Sequence, residues 1–128
     1  MCVQYLTTTN IDWVKTHFDL NLPVSAAHDV FPTYPGSIVL KSHNTQRTAI
    51  GPARFGLIPS WAKDEDFGRK TYNARSETVS EKPSYKHAWS KRHYALALAD
   101  AFYEPNYESG KAVRTKIKQA DGQPMAIA

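Results

Sequence analysis

Proline and glycine interrupt the apolar segments in the middle of this 128-residue chain, and they limit which structures can form there. Five of the eight prolines and three of the six glycines lie between residues 23 and 59. Because proline removes a backbone donor and clashes with the preceding helical turn, no long helix can cross this region. The stretch TAIGPARFGLIPSWA (48–62) therefore predicts one strand that enters a rigid turn. NLPVSAAHDVFPTYPG (21–36) predicts a long irregular connection.

The rest of the chain combines short helices with strands. TNIDWVKTHFDL (9–20) has apolar residues at helical spacing after Asn10, which can cap the first turn. SYKHAWSKRH (84–93) fits a second, shorter helix that holds Tyr85 and Trp89 on one side. The predicted strands are SIVLKS (37–42), YALALADAFYEP (94–105) and a hairpin in AVRTKIKQADGQPMAIA (112–128) with its turn at residues 120–123. The pattern predicts one α+β domain with a mainly antiparallel sheet.

Composition and motifs exclude several classes of protein. A single cysteine cannot form an internal disulfide, and no segment approaches the roughly 18 apolar residues of a membrane span. The chain has no Walker-type phosphate loop, no G-x-G-x-x-G, no paired cysteines and no H-E-x-x-H, so we predict no metal site and no cofactor. The net charge of +4 favours a polyanionic partner only weakly. We expect a cytoplasmic protein without a membrane partner, associated with the nucleoid if it is bacterial.

A small set of residues has the side chains for catalysis or for binding nucleic acid. They are Cys2, Asn73 and Arg75 in YNARSET (72–78), and Glu104 at the end of ADAFYE (99–104). An amide can both donate and accept, a guanidinium fork suits phosphate, and a carboxylate flanked by aromatic rings can move protons. Each also has a purely structural interpretation: Asn73 could tie down a turn, Arg75 could pair with Glu77, and Glu104 could be an exposed strand end.

The role of Cys2 depends on whether Met1 is removed. If it is, Cys2 becomes the amino terminus and carries an amine and a thiol on adjacent carbons. The reference pKa of an α-amine is about 7.7–8.0, so part of it is neutral and nucleophilic at physiological pH. If Met1 stays, Cys2 is a small apolar residue near a chain end.

Taken together, these residues resemble the SRAP domain family, whose members process abasic sites in DNA. The resemblance covers nearly the whole chain and rests on Cys2 behind the initiator and on four ordered motifs. DVFPTYP (29–35), FGLIPSWA (55–62), YNARSET and ADAFYE are similar to the family's N-x-A-P-T, W-G-L-x-P-x-W, N-A-R-x-E-T and A-D-G-F/W-x-E. The sequence departs from the pattern at several positions: Val3 and Gln4 replace glycine and arginine, Asp29 an asparagine, Phe55 a tryptophan, and Ala101 a glycine.

The resemblance implies a barrel-like antiparallel core and a covalent reaction with abasic sites in single-stranded DNA. The α-amine of Cys2 would attack the aldehyde of the ring-opened sugar to form a Schiff base, and the thiol would then close a thiazolidine ring. Asn73 would position the Cys2 amine and the sugar, and Glu104 would relay protons. The implied DNA contacts are Arg75 on a flanking phosphate, Trp61 and Pro32 stacking or wedging against bases, and Phe55 near them.

Two other functions stay open at this point. Cys2 with Glu104 could serve a thiol peptidase that acts at least on its own Met1, which peptide turnover would distinguish from a stable DNA adduct. Alternatively, the chain could be a non-catalytic single-strand binder, as the replacement of the family's phosphate-holding arginine by Gln4 suggests. Binding by such a protein would be salt-sensitive and would ignore the abasic aldehyde.

The last residues, QPMAIA (123–128), are mostly apolar, and the family's later H-x-R-M-P segment with its catalytic histidine is absent. We therefore expect residues 1–128 to form an SRAP-like domain that lacks its C-terminal part. Pro124, Met125 and Ile127 should face an apolar core. The uncovered edge formed by residues 112–128 predicts self-association.

Overall fold

The computed structural model describes residues 2–23, 28–42 and 44–128, which form one antiparallel sheet with a few short helices. The strands are β1 (Gln4–Thr7), β2 (Asp29–Val30), β3 (Pro35–Lys41), β4 (Thr48–Arg54), β5 (Ala95–Asn106), β6 (Val113–Ile117) and β7 (Met125–Ile127). The helices are α1 (Ile11–Phe18) and α2 (Lys86–Ser90), and a 3-10 helix spans Glu65–Lys70. The predicted α+β class with a mainly antiparallel sheet is confirmed.

The long strand β5 organises the sheet. Ala97 pairs with β3 on one side and β7 on the other, Ala99 pairs with β1 and β7, and Phe102 pairs with β1 and β6. Strands β1 and β3 therefore share one edge of β5, while β6 and β7 follow each other along the opposite edge. β2 extends the sheet beyond β1, and β4 extends it beyond β3. With a register shift between Leu6 and Thr7, the sheet curls into a half-barrel.

Helix α1 covers one side of this half-barrel. The side chain of Asn10 accepts a hydrogen bond from the Trp13 backbone N–H at 2.9 Å, as the capping signal in the sequence predicts. Val14 is the buried residue of the helix, and it packs with Leu22, Val39 and Leu98 in one core cluster. The predicted first helix is therefore confirmed.

The turn that follows β4 is rigid because two backbone segments touch there. In the described sheet β4 pairs only with β3, so it is an edge strand. An edge strand tolerates Pro52 because no further strand requires a backbone N–H on its outer side. Gly56 has a φ of +124°, and a Cβ at this position would lie 2.3 Å from the Gly68 carbonyl oxygen. Only glycine fits this approach, which holds the turn against the 3-10 helix. The predicted strand entering a rigid turn is confirmed.

Two predictions of local structure are wrong. The strands within 112–128 do not form a hairpin with each other, because β6 and β7 lie end to end along one edge of β5 and each pairs with it. A turn does form at the predicted place, where the Gly122 N–H donates to the Gln119 carbonyl at 3.1 Å. The connection 21–36 is not wholly irregular either, since it contains β2 and the start of β3; residues 24–27 of it lie outside the described residues.

Candidate functional site

An open cleft of about 580 Å³ lies on the face of the sheet that carries Tyr5 and Phe102. Cys2 lines it, together with the turn after β4, residues 71–74, and α2 with the turn behind it. We call it the Cys2 cleft. Its lining is largely apolar and aromatic, which suits a ligand with flat rings.

Cys2 is half-buried at the floor of this cleft. Its thiol donates a hydrogen bond to the Gln4 carbonyl at 3.1 Å, and its side chain packs against the core cluster that contains Tyr5. Burial raises the pKa of the Cys2 thiol, and the nearby Glu104 carboxylate adds a smaller increase. Burial therefore favours the protonated thiol over the activated thiolate of a cysteine peptidase.

Asn73 connects the N-terminal segment to the opposite wall of the cleft. Its side-chain Nδ2 donates to the backbone oxygen of Cys2 at 2.8 Å. The hydroxyl of Tyr85 in turn donates to the Asn73 backbone oxygen at 2.7 Å. The side chain of Asn73 thus reaches a residue 71 positions away rather than closing its own turn. The bond engages the backbone of Cys2 and not its thiol.

Glu104 is half-buried within β5, which continues to Asn106, so the interpretation of Glu104 as an exposed strand end is wrong. Side chains alternate along a strand, and Glu104 therefore lies on the same face as Phe102, which lines the cleft. Its charge is close enough to influence the Cys2 thiol. A carboxylate and a potential nucleophile are thus brought together from opposite ends of the chain.

Arg75 is exposed two residues beyond Asn73. Within the part of the chain that the structure describes, it forms no ion pair with Glu77, so the ion-pair interpretation is wrong. A guanidinium without a carboxylate partner is available to bind an anion at the edge of the cleft.

The remaining predicted DNA contacts lie around the turn after β4. The Thr33 N–H donates to the Phe55 carbonyl at 2.7 Å, which brings the loop containing Pro32 against Phe55. The Phe55 ring is half-buried in the cleft wall, with its edge or face against Tyr5 and Tyr72. Trp61 is 55% exposed. Pro32 and Trp61 do not line the Cys2 cleft.

Gln4 and Asp29, two residues at which the sequence departs from the family pattern, contact each other. The buried side chain of Gln4 donates from Nε2 to an Asp29 carboxylate oxygen at 2.8 Å. Its Oε1 accepts a hydrogen bond from Arg114, whose guanidinium lies 3.9 Å from the centre of the Tyr103 ring. Gln4 and Asp29 therefore act as a pair that joins β1 to β2, and Arg114 supplies a cation beside position 4.

Several lining residues were not singled out from the sequence as site residues. The Tyr85 hydroxyl anchors Asn73, and Trp89, His93 and Tyr94 line the wall formed by α2 and the turn behind it. The prediction that Tyr85 and Trp89 share one side of a short helix agrees with their common place in this wall. The sequence signal that could have indicated these residues is the mixture of aromatic and basic residues in 85–94.

The described ranges contain neither a metal-binding cluster nor a membrane-spanning helix. Within them, no group of three or more histidine, cysteine, aspartate or glutamate side chains could hold a metal ion. No helix in the same ranges has the length and apolar character needed to cross a membrane.

One family model and several known proteins match this chain. The model of the family described as SOS response associated peptidase (SRAP) matches residues 1–128. The chain is 39% identical over 108 residues to the abasic site processing protein YoqW of Bacillus subtilis (strain 168), a match that covers 81% of this chain and 47% of YoqW. It is 35% identical over 127 residues to the abasic site processing protein YoaM of the same strain, covering 94% of this chain and 55% of YoaM.

A mammalian protein and a solved structure also match this chain. The abasic site processing protein HMCES of Mus musculus is 40% identical over 67 residues, which is 50% of this chain and 19% of HMCES. The crystal structure of a protein from Bordetella bronchiseptica superposes with a TM-score of 0.78 at 32% identity, covering 98% of this chain and 61% of that one. The chain spans about half the length of the bacterial relatives that it matches.

Proposed function

Because this chain belongs to the SOS response associated peptidase (SRAP) family, we propose that it captures abasic sites in single-stranded DNA covalently and so shields them. The names of its relatives, which are abasic site processing proteins, support DNA as the partner. The observation that carries the proposal is the hydrogen bond from Asn73 to the backbone oxygen of Cys2, which holds the N-terminal residue inside an apolar cleft.

The reaction that we propose uses both nucleophiles of Cys2 and requires that Met1 is first removed. The neutral α-amine adds to the aldehyde carbon of the ring-opened abasic sugar, and loss of water gives an imine. The thiol then adds across the C=N bond: sulfur bonds to the carbon, its proton passes to nitrogen, and a five-membered thiazolidine ring closes. We assign proton transfer in the addition and dehydration steps to Glu104, whose charge influences the Cys2 thiol.

The order of the two steps follows from the ionisation of the two groups. Burial raises the pKa of the thiol and so favours its neutral form. The α-amine, with a reference pKa of about 7.7–8.0, is partly neutral at physiological pH and attacks first. A thiol peptidase, or self-cleavage by Cys2 to remove Met1, needs a thiolate at that pH, which burial disfavours. We therefore favour crosslinking over peptide hydrolysis.

The direct test is to mix the protein that begins at Cys2 with a single-stranded oligonucleotide that contains one abasic site. We expect an adduct that survives heating and denaturing electrophoresis, with an intact mass equal to protein plus DNA minus one water. The same oligonucleotide with an intact base is the control. If the protein binds both oligonucleotides equally and forms no adduct, it is a non-catalytic single-strand binder and the proposed reaction is wrong.

Arg75 gives a prediction about binding rather than chemistry. Arg75→Ala should weaken binding to single-stranded DNA and lower the slope of log affinity against log salt by about 0.7, because one phosphate contact is lost. Arg47→Ala, which removes an exposed arginine outside the Cys2 cleft, is the matched control. An unchanged affinity and salt slope for Arg75→Ala, measured by fluorescence anisotropy, would remove Arg75 from the interface.

A second partner that we propose is another copy of the chain. Among the described strands, β6 and β7 pair only with β5, so their outer edge presents backbone groups that a further strand can bind. Val113 and Ile117 on β6 are exposed, whereas Pro124, Met125 and Ile127 pack inward, as the sequence predicts. The self-association would thus use the edge of the sheet and the face of β6. For a DNA-binding protein of this kind we infer a cytoplasmic location.

A further inference from the structure

The wall of the Cys2 cleft that α2 provides has an unusual charge pattern. We call residues 85–94, which comprise α2 and the turn behind it, the α2 rim. No aspartate or glutamate occurs from Lys82 to Ala99, whereas Lys86, Lys91 and Arg92 fall within the rim. All three are exposed. In the described residues, the ammonium groups of Lys86 and Lys91 have no ion-pair partner. The rim is therefore a local positive surface.

Two aromatic rings stand among these cations. Trp89 is 43% exposed and Tyr94 is 54% exposed, and their ring centres are 5.4 Å apart in an edge-to-face arrangement. Both rings line the same cleft as Cys2. The surface that they present is thus continuous with the reactive residue rather than isolated from it.

Exposed aromatic rings beside Lys86 and Lys91 suit the binding of single-stranded nucleic acid. Bases stack on aromatic side chains without regard to sequence, and lysines beside them attract the phosphates that link those bases. We propose that the α2 rim binds the nucleotides that flank the abasic site on one side of it, with bases on Trp89 and Tyr94 and phosphates at Lys86 and Lys91. This inference rests on the proposed function and names the part of the surface that the strand follows from Cys2.

The positive charge of the α2 rim favours DNA over a second copy of the chain as its partner. The chain carries a net charge of +4, so a second copy would bring like charge to a segment that contains no aspartate or glutamate. A phosphodiester chain brings one negative charge per nucleotide. Single-stranded DNA is therefore the complementary partner, and association between copies is left to the outer edge of β6 and β7.

The experiment measures binding without chemistry, using oligonucleotides that contain a tetrahydrofuran abasic analogue, which has no aldehyde. One set extends by one to eight nucleotides on the 5′ side of the analogue, and the other set extends on the 3′ side. The parent should gain affinity with length on both sides. The double variant Trp89→Ala/Tyr94→Ala should lose about 10-fold or more of its affinity for the long members of one set only. Tyr107→Ala, which removes a 65% exposed tyrosine beyond the end of β5, is the matched control.

A second variant keeps the proposal testable if the double variant does not fold. Lys91→Glu changes only an exposed side chain, and it should weaken binding to the same set and lower its salt slope, whereas Lys111→Glu in the turn after β5 should not. Parent-like binding of both rim variants overturns the inference. So does sedimentation showing that the double variant changes self-association but not DNA affinity. A parent that binds through the rim but forms no adduct with a true abasic site would remove the proposed function and leave this inference standing.

Discussion

Cys2→Ser should abolish the heat-stable DNA adduct while still forming an imine that borohydride can trap. The serine variant keeps the α-amine, so the first addition and the loss of water are intact. It lacks the thiol that closes the ring, a step in which well-oriented groups reach effective molarities of about 10⁵ M or more. Because Asn73 holds the backbone oxygen of Cys2, the substitution leaves this contact in place. The measurement is denaturing electrophoresis with and without borohydride.

Two controls separate the roles of amine and thiol at position 2. A protein that retains Met1 has an amide in place of the Cys2 amine, so it should give neither the stable adduct nor the trapped imine. Cys2→Ala should behave as Cys2→Ser does. Equal yields of stable adduct from Cys2→Ser and the parent would rule out thiazolidine formation.

Glu104→Gln should slow adduct formation by about 10²–10⁴-fold, the usual contribution of a general acid or base, with little loss of DNA affinity. The amide keeps the shape of the side chain in β5 but cannot exchange a proton with the reacting groups. Glu108→Gln, an exposed carboxylate in the turn after β5, is the matched control and should react at the parent's rate. Single-turnover kinetics at saturating DNA measure the rate apart from binding.

A purely structural role for Glu104 makes a different prediction. Formate added to a Glu104→Ala variant should restore part of the rate if the missing group carries protons, and the restored rate should rise with formate concentration. A Gln variant that reacts as fast as the parent, or that loses DNA affinity and rate together, would assign Glu104 to folding rather than to the reaction.

Much of the fold and of the candidate site could be predicted because their signals are local. The Asn10 cap and the apolar spacing that follows it define α1, and the apolar stretch that becomes β5 is bounded by polar residues. The motifs that carry Cys2 and Asn73 are short and ordered, and the fold brings them into hydrogen-bonding contact.

The features that sequence reasoning missed all depend on contacts between distant segments. The residues at 120–123 correctly predicted a turn, but they did not predict which strands pair. The strands on either side of the turn both pair with β5, because β5 is long enough for them to lie end to end along one of its edges. The contact between Gln4 and Asp29 joins two departures from the family pattern across 25 residues, and nothing local to either residue indicates it. The Tyr85 hydroxyl likewise acts on a backbone oxygen 12 residues away.

The pairing of β5 with four other strands also affects how the site moves. Local opening of a protein costs least where few contacts must break, and a strand held on both edges opens only with the whole sheet. Glu104 pairs with Thr115 of β6 and follows the last residue of β5 that pairs with β1, Tyr103, so we expect it to exchange more slowly than Asn73 and the α2 rim, which belong to connections between strands. The carboxylate that we propose as proton carrier is thus held in the sheet, and the groups that we propose to receive DNA can adjust. We therefore expect single-stranded DNA to enter and leave the cleft without displacing the Glu104 carboxylate.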